Sequence, residues 1–253
     1  MKGCVKIMQK MSNPVFRSVE NSQSGATEYG ATYTGISIKT GILLLVSVLS
    51  ALFAANLIKT NQLETVITIL AVTGIAAFIS VLLATFIPRL AMPFSMLYSA
   101  AIGFELGVLT VLVELLFPGQ GIGQTAIVAT MVIFGVMLAL YSFRIVRVTN
   151  GFVKFMLAVM FAILIFSLLS FIIPSIGNLF ANNFALGVGL VGFLILYGAF
   201  MLMLDFNRAE AMVTAGVDKR YEWSVALGLM VTIVWIYVQV IRLLILIAAR
   251  NND

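Results

Sequence analysis

Seven stretches of about twenty consecutive apolar residues dominate the chain, and each is long enough to cross a hydrocarbon layer of about 30 Å as a helix. They fall near 36–58, 65–87, 94–116, 122–142, 152–174, 184–206 and 224–248. A backbone inside lipid must satisfy its own hydrogen bonds, so runs of this kind predict an all-α, polytopic transmembrane bundle. Composition points the same way: 62 % of the 253 residues are hydrophobic and 10 % charged, against roughly 45–50 % and 25 % in soluble domains. Turn punctuation separates the runs at Asn61-Gln62, Pro88-Arg89, Pro118-Gly119, Asn150-Gly151 and Pro174-Ser175, and between Arg208 and Glu222. Two segments are predicted: a disordered cytoplasmic tail over 1–35, mixed in polarity and without apolar periodicity, and one transmembrane domain over 36–253. The first apolar run carries no small-residue cleavage site and is expected to stay as a helix. Met11 offers an alternative start.

Lys and Arg set the expected orientation, because short loops rich in them stay cytoplasmic. Twelve of the fifteen fall on the N-terminal side: Lys2, Lys6, Lys10, Arg17, Lys39, Arg89, Arg144, Arg147, Lys154, Arg208, Lys219 and Arg220. Only Lys59, Arg242 and Arg250 fall on the other. The N-terminus is therefore predicted to be cytoplasmic, and the net charge of +5 reflects topology, with no case for nucleic-acid binding.

The absence of histidine excludes His-based triads, His metal sites and HExxH zinc peptidases, each of which needs an imidazole. The single Cys4 allows no intrachain disulfide and no CxxC motif. The glycines of 119–123 follow an apolar span without the strand and Lys of a phosphate loop. Intramembrane aspartyl proteolysis needs two carboxylates, and Asp205 is the sole Asp within or beside a span. No enzyme and no resident cofactor is expected.

Ionisable residues inside a bilayer are costly and are functional candidates by default. Glu105 lies at the centre of the third span, where lost hydration penalises the charged form unless a cation or water compensates it. The alternative is a protonated Glu bonded to a neighbouring helix. Gly103 and Gly107 make a small-residue stripe on another face of the same span. Asp205 is either a pathway carboxylate or a helix-end group paired with Arg208 three residues on. Gln239 interrupts the last span and is either helix glue or a pathway carbonyl, while Arg242 is placed to snorkel or to gate. Glu114 reads as interfacial, and Gly187, Gly189, Gly192 and Gly198 as packing or flexible positions.

The spans, the late Asp205, the last-span string from Trp235 to Leu244, and the stretches 11–17, 33–35, 39–41 and Glu222-Trp223 together resemble the Bax inhibitor family of transmembrane proteins. The resemblance is specifically to its bacterial YccA-like branch. It implies a bundle whose last helix is central and surrounded by the other six, in a bacterial inner membrane. Studied relatives look like pH-sensitive calcium leaks with an acidic pair on the last two helices, and others bind a membrane-bound ATP-dependent protease. Asp205 matches the first acid of that pair; the second falls on Gln239, so the shared-proton device of two aspartates is missing. Branch members tend to carry a Glu three positions before Glu105, where this chain has Ile102, and Glu105 is expected to replace it. A cluster of Glu105, Asp205 and Gln239 needs the sixth helix to continue through 208–213, which no Gly or Pro interrupts before Gly216. The expected function is a proton-sensitive cation leak for calcium. The alternatives are a non-conducting regulator of a membrane quality-control protease and a proton-coupled transporter.

Overall fold

The computed structural model describes residues 30–146 and 148–251. The expected tail lies outside this range up to residue 29, as do Cys4, Met11, the four tail cations and Arg147. The chain runs through α1 (Tyr33–Lys59), α2 (Leu63–Phe86), α3 (Ala91–Leu116), α4 (Ile122–Ser142), α5 (Asn150–Ile172), α6 (Pro174–Asn182), α7 (Phe184–Thr214) and α8 (Glu222–Asn251). Single 3-10 turns at Pro88–Leu90 and Lys219–Tyr221 precede α3 and α8. All except α6 are long and apolar enough to cross a membrane, so the expected seven-span bundle is the fold.

Local chemistry sets the ends. Side-chain oxygens of Thr32, Thr149 and Asn183 accept from the amides of Gly35, Phe152 and Leu186 and so cap α1, α5 and α7. Pro174, read from sequence as the end of the fifth span, instead occupies the first turn of α6, where its missing N–H costs nothing. The largest departure is α7, which continues eight residues past the expected end at 206. The stretch through Thr214 is polar but contains no helix breaker, and α7 stops only where Gly216 takes φ 62°. There the amides of Gly216 and Val217 bond Val213 and Met212 carbonyls, closing a Schellman motif.

Lipid offers helices little hydrophobic drive to associate, so close packing holds this bundle together. Gly103 and Gly107 bring α3 against the backbone of α1 at Ser47 and Ala51, leaving no room for a Cβ. Gly198 of α7 makes room instead for the Ile236 and Trp235 side chains of α8, whereas Gly189 and Gly192 face open space. α8 sits at the centre, packed against α1, α2, α3, α4 and α7. Its expected ring of six neighbours is corrected in one respect: α5 packs on α6 and α7 at the periphery and buries only Met156.

One end of the bundle gathers the start of α1 and the α2–α3, α4–α5 and α7–α8 connections. Gly30 bridges Asp218, the Ala31 amide donates to the Val217 carbonyl over 2.7 Å, and Ser224 Oγ donates to the Ala84 carbonyl over 3.4 Å. Residues 30–35, assigned to the disordered tail by sequence, are therefore docked, and α1 begins at Tyr33. The reason is Glu222, whose carboxylate is 0 % exposed and accepts from Lys39 Nζ over 2.5 Å and from the Thr32 amide over 2.7 Å. A Cβ at Gly35 would collide with that carboxylate.

Candidate functional site

The antiparallel seam between α7 and α8 encloses an acid, Asp205, well inside the bundle. Asp205 is nine residues from the end of α7, so the extension of that helix to Thr214 sets it about 14 Å inside rather than at the boundary. It is 5 % exposed. Thr232 Oγ1 donates to Asp205 Oδ2 over 2.5 Å, and Arg208 Nη1 lies 3.7 Å from Oδ1. The Arg208 side chain is 63 % exposed, so one end of the site is a buried carboxylate and the other a solvated guanidinium. The anticipated pairing of Asp205 with Arg208 is thus present.

Gln239 does not meet Asp205. It stands seven residues beyond Thr232 on the same face of α8, about 10 Å further along the helix. It is buried, and its Oε1 has no hydrogen-bond partner. Between the two, Leu202 and Ile236 close the seam. The group facing Asp205 from the last helix is therefore the hydroxyl of Thr232, which sequence context passed over because aromatic neighbours drew attention to Gln239. Only the register shows it: Gly198 against Ile236 places Asp205 opposite the turn that holds Thr232.

Glu105 lies elsewhere. α3 divides its faces, giving Gly103 and Gly107 to α1, Thr110 to Tyr237 of α8, and Glu105 to α2. A Cβ at Gly74 of α2 would stand 3.7 Å from Glu105 Oε1, an oxygen that is enclosed without a partner. The expected cluster of Glu105, Asp205 and Gln239 does not form even though α7 extends as that cluster required. Arg242 is exposed and makes no ion pair among the described residues. Glu114 accepts from the Gly119 amide over 3.3 Å at the bundle surface, as an interfacial group does.

Sequence reading missed Glu210, because it was assigned to a loop. On the extended α7 its carboxylate accepts from the Tyr141 hydroxyl and stands 3.9 Å from Arg144. It lines a cleft of 710 Å³ with Tyr33, Ser142 and Asn207 at the N-terminal end of the bundle. Among the described residues no three His, Cys, Asp or Glu side chains gather to hold a metal ion. One carboxylate and one hydroxyl fall far short of the six to eight oxygens that hold calcium firmly, so Asp205 and Thr232 do not make a tight calcium site.

No curated protein and no solved structure matches this chain. The family model described as Bax inhibitor 1 like matches residues 13–249. With nearly the whole chain matched and seven membrane-spanning helices in place, the protein is a multi-pass membrane protein that belongs to the Bax inhibitor 1 like family.

Proposed function

We propose that the protein is a pH-sensitive cation leak, with calcium as the cation, and that the α7–α8 seam is its pathway. The observation that carries this reading is Asp205: a carboxylate buried inside a membrane bundle, held by one hydroxyl and one solvated arginine. An intramembrane acid marks an ion or proton path by default. Arg208 supplies a cation at the mouth that an entering ion displaces, and Gln239 offers an unengaged carbonyl deeper in. The apolar contact of Leu202 with the α8 face around Ile236 belongs to a closed state. The Lys and Arg bias sets the Asp205 mouth toward the cytoplasm, and the membrane is a bacterial inner membrane.

Flux into proteoliposomes loaded with a calcium dye, followed across about pH 6 to 8, tests this. Asp205→Asn is expected to flatten the pH response and Glu105→Gln to leave it in place. An unchanged response in Asp205→Asn removes the carboxylate from the mechanism.

The same tight closure favours a second reading, in which the bundle conducts nothing and regulates a membrane-bound ATP-dependent quality-control protease. Deleting residues 1–29 separates the two. A leak survives the deletion, whereas regulation through the tail does not.

A further inference from the structure

A second cavity opens on the opposite side of α8 from Asp205. It has a volume of 300 Å³, with α3 and α8 as floor and α1 and α4 as walls. Four hydroxyl-bearing residues line it, and every hydroxyl is already engaged. Ser47 donates to the Leu44 carbonyl over 2.7 Å and Thr130 to the Ala126 carbonyl over 2.8 Å. Thr110 donates to the Leu106 carbonyl over 2.7 Å and shares a 2.8 Å hydrogen bond with Tyr237. A polar ligand would find no free hydroxyl hydrogen, only hydroxyl oxygens able to accept, and a trapped water needs two to four polar partners.

The rim decides the occupant. Val48 and Leu52 of α1 and Ile127 and Met131 of α4 line the cavity and are also exposed on the outer surface of the bundle. That surface is the lipid-facing one, because these helices are membrane spans. The cavity is therefore continuous with the hydrocarbon interior of the bilayer, at mid-span of α1 and α3.

We propose that this cavity is a binding site for one acyl chain of a membrane lipid, entering sideways between α1 and α4. The chain fills a space that would otherwise leave the floor of α8 around Ile233 and Val234 without contact atoms, and a gap of that kind forfeits packing energy along its whole lining. The site is independent of any flux through the α7–α8 seam.

The test uses the full chain in nanodiscs containing phosphatidylcholine with a diazirine on one acyl tail, irradiated and mapped by mass spectrometry. Adducts on the floor residues are expected to saturate at low probe fraction, while adducts at Leu164 on the outer face of α5 rise in proportion to probe. Val111→Phe and Ala55→Phe, which fill the cavity from its floor and from one wall, are each expected to lower adducts on the α8 floor residues about tenfold and leave those at Leu164 unchanged. Floor adducts that rise linearly in the wild type overturn the proposal, and that measurement needs no variant. So do fillers without effect in a folded variant.

Discussion

Asp205 and Glu105 are both carboxylates on membrane-spanning helices, and their surroundings differ in kind. The α7–α8 seam encloses Asp205 and supplies a hydroxyl and a guanidinium to its two oxygens. The α2–α3 seam leaves Glu105 half-buried beside Gly74 and Thr73, whose hydroxyl donates to the Leu70 carbonyl over 3.2 Å, with one carboxylate oxygen enclosed and unpartnered. Depth alone singled out Glu105. Provision of partners singles out Asp205, because removing water from a charged group is tolerated only when the protein replaces it. The comparison teaches that the partners of a buried acid are set by what the facing helix offers, which is a property of register rather than of position along one span.

The largest effect that would break this comparison is at Thr232. Thr232→Val keeps the shape and removes the donor, leaving Asp205 Oδ2 enclosed without its hydrogen bond. The expected loss is about 2–3 kcal/mol of stability, since hydrogen bonds to charged groups are the strong ones. Thermal unfolding in detergent reads it as a clearly lowered midpoint. A midpoint equal to wild type would mean that Asp205 does not depend on α8, and the contrast with Glu105 would disappear.

Most of the architecture was legible in the sequence for a simple reason: each span is a long apolar run, and its length is fixed by membrane thickness. Thr232 and Glu210 were not legible, for two different reasons. The charged and polar residues after Phe206 looked like loop, although the stretch is free of Gly and Pro until Gly216, and helix ends are set by breakers and caps rather than by polarity. Placing Glu210 on a helix and Asp205 inside the bundle both follow from that one correction. The partner of Asp205 depends on how α7 slides against α8, and neither hydropathy nor the presence of Gln239 reports that slide. Likewise, the spacing of Gly103, Glu105 and Gly107 says only that two faces of α3 differ, not which helix each one meets.

A smaller effect sharpens the other side of the contrast. Glu105→Leu removes an acid that has an unpartnered oxygen and replaces it with a side chain that packs against Gly74 or faces lipid. The expected change is about 1 kcal/mol or less, in the stabilising direction, because deleting an unsatisfied buried group relieves its desolvation cost. The same thermal assay measures it. A loss comparable to that of Thr232→Val would show that Glu105 has a partner equivalent to Thr232, and the two seams would then be alike.

The smallest effect concerns the exposed end of the Asp205 site. With its side chain 63 % exposed, Arg208 is mostly solvated, and its 3.7 Å pairing with Asp205 is weakened by water and salt. An ion pair of this kind contributes about 0.5 kcal/mol, so Arg208→Gln is expected to change stability by no more than that. Its consequence for conduction is read more easily than its consequence for folding. Under the proposed leak, releasing the mouth cation would lower the barrier to an entering calcium ion, and flux in proteoliposomes is expected to rise about twofold, the factor to which about 0.5 kcal/mol corresponds. Raising the ionic strength screens the pair in the wild type and leaves nothing to screen in the variant, so the two fluxes converge as salt increases. Fluxes that keep a fixed ratio at every salt concentration would assign the effect of Arg208 to packing and leave Asp205 paired with Thr232 alone.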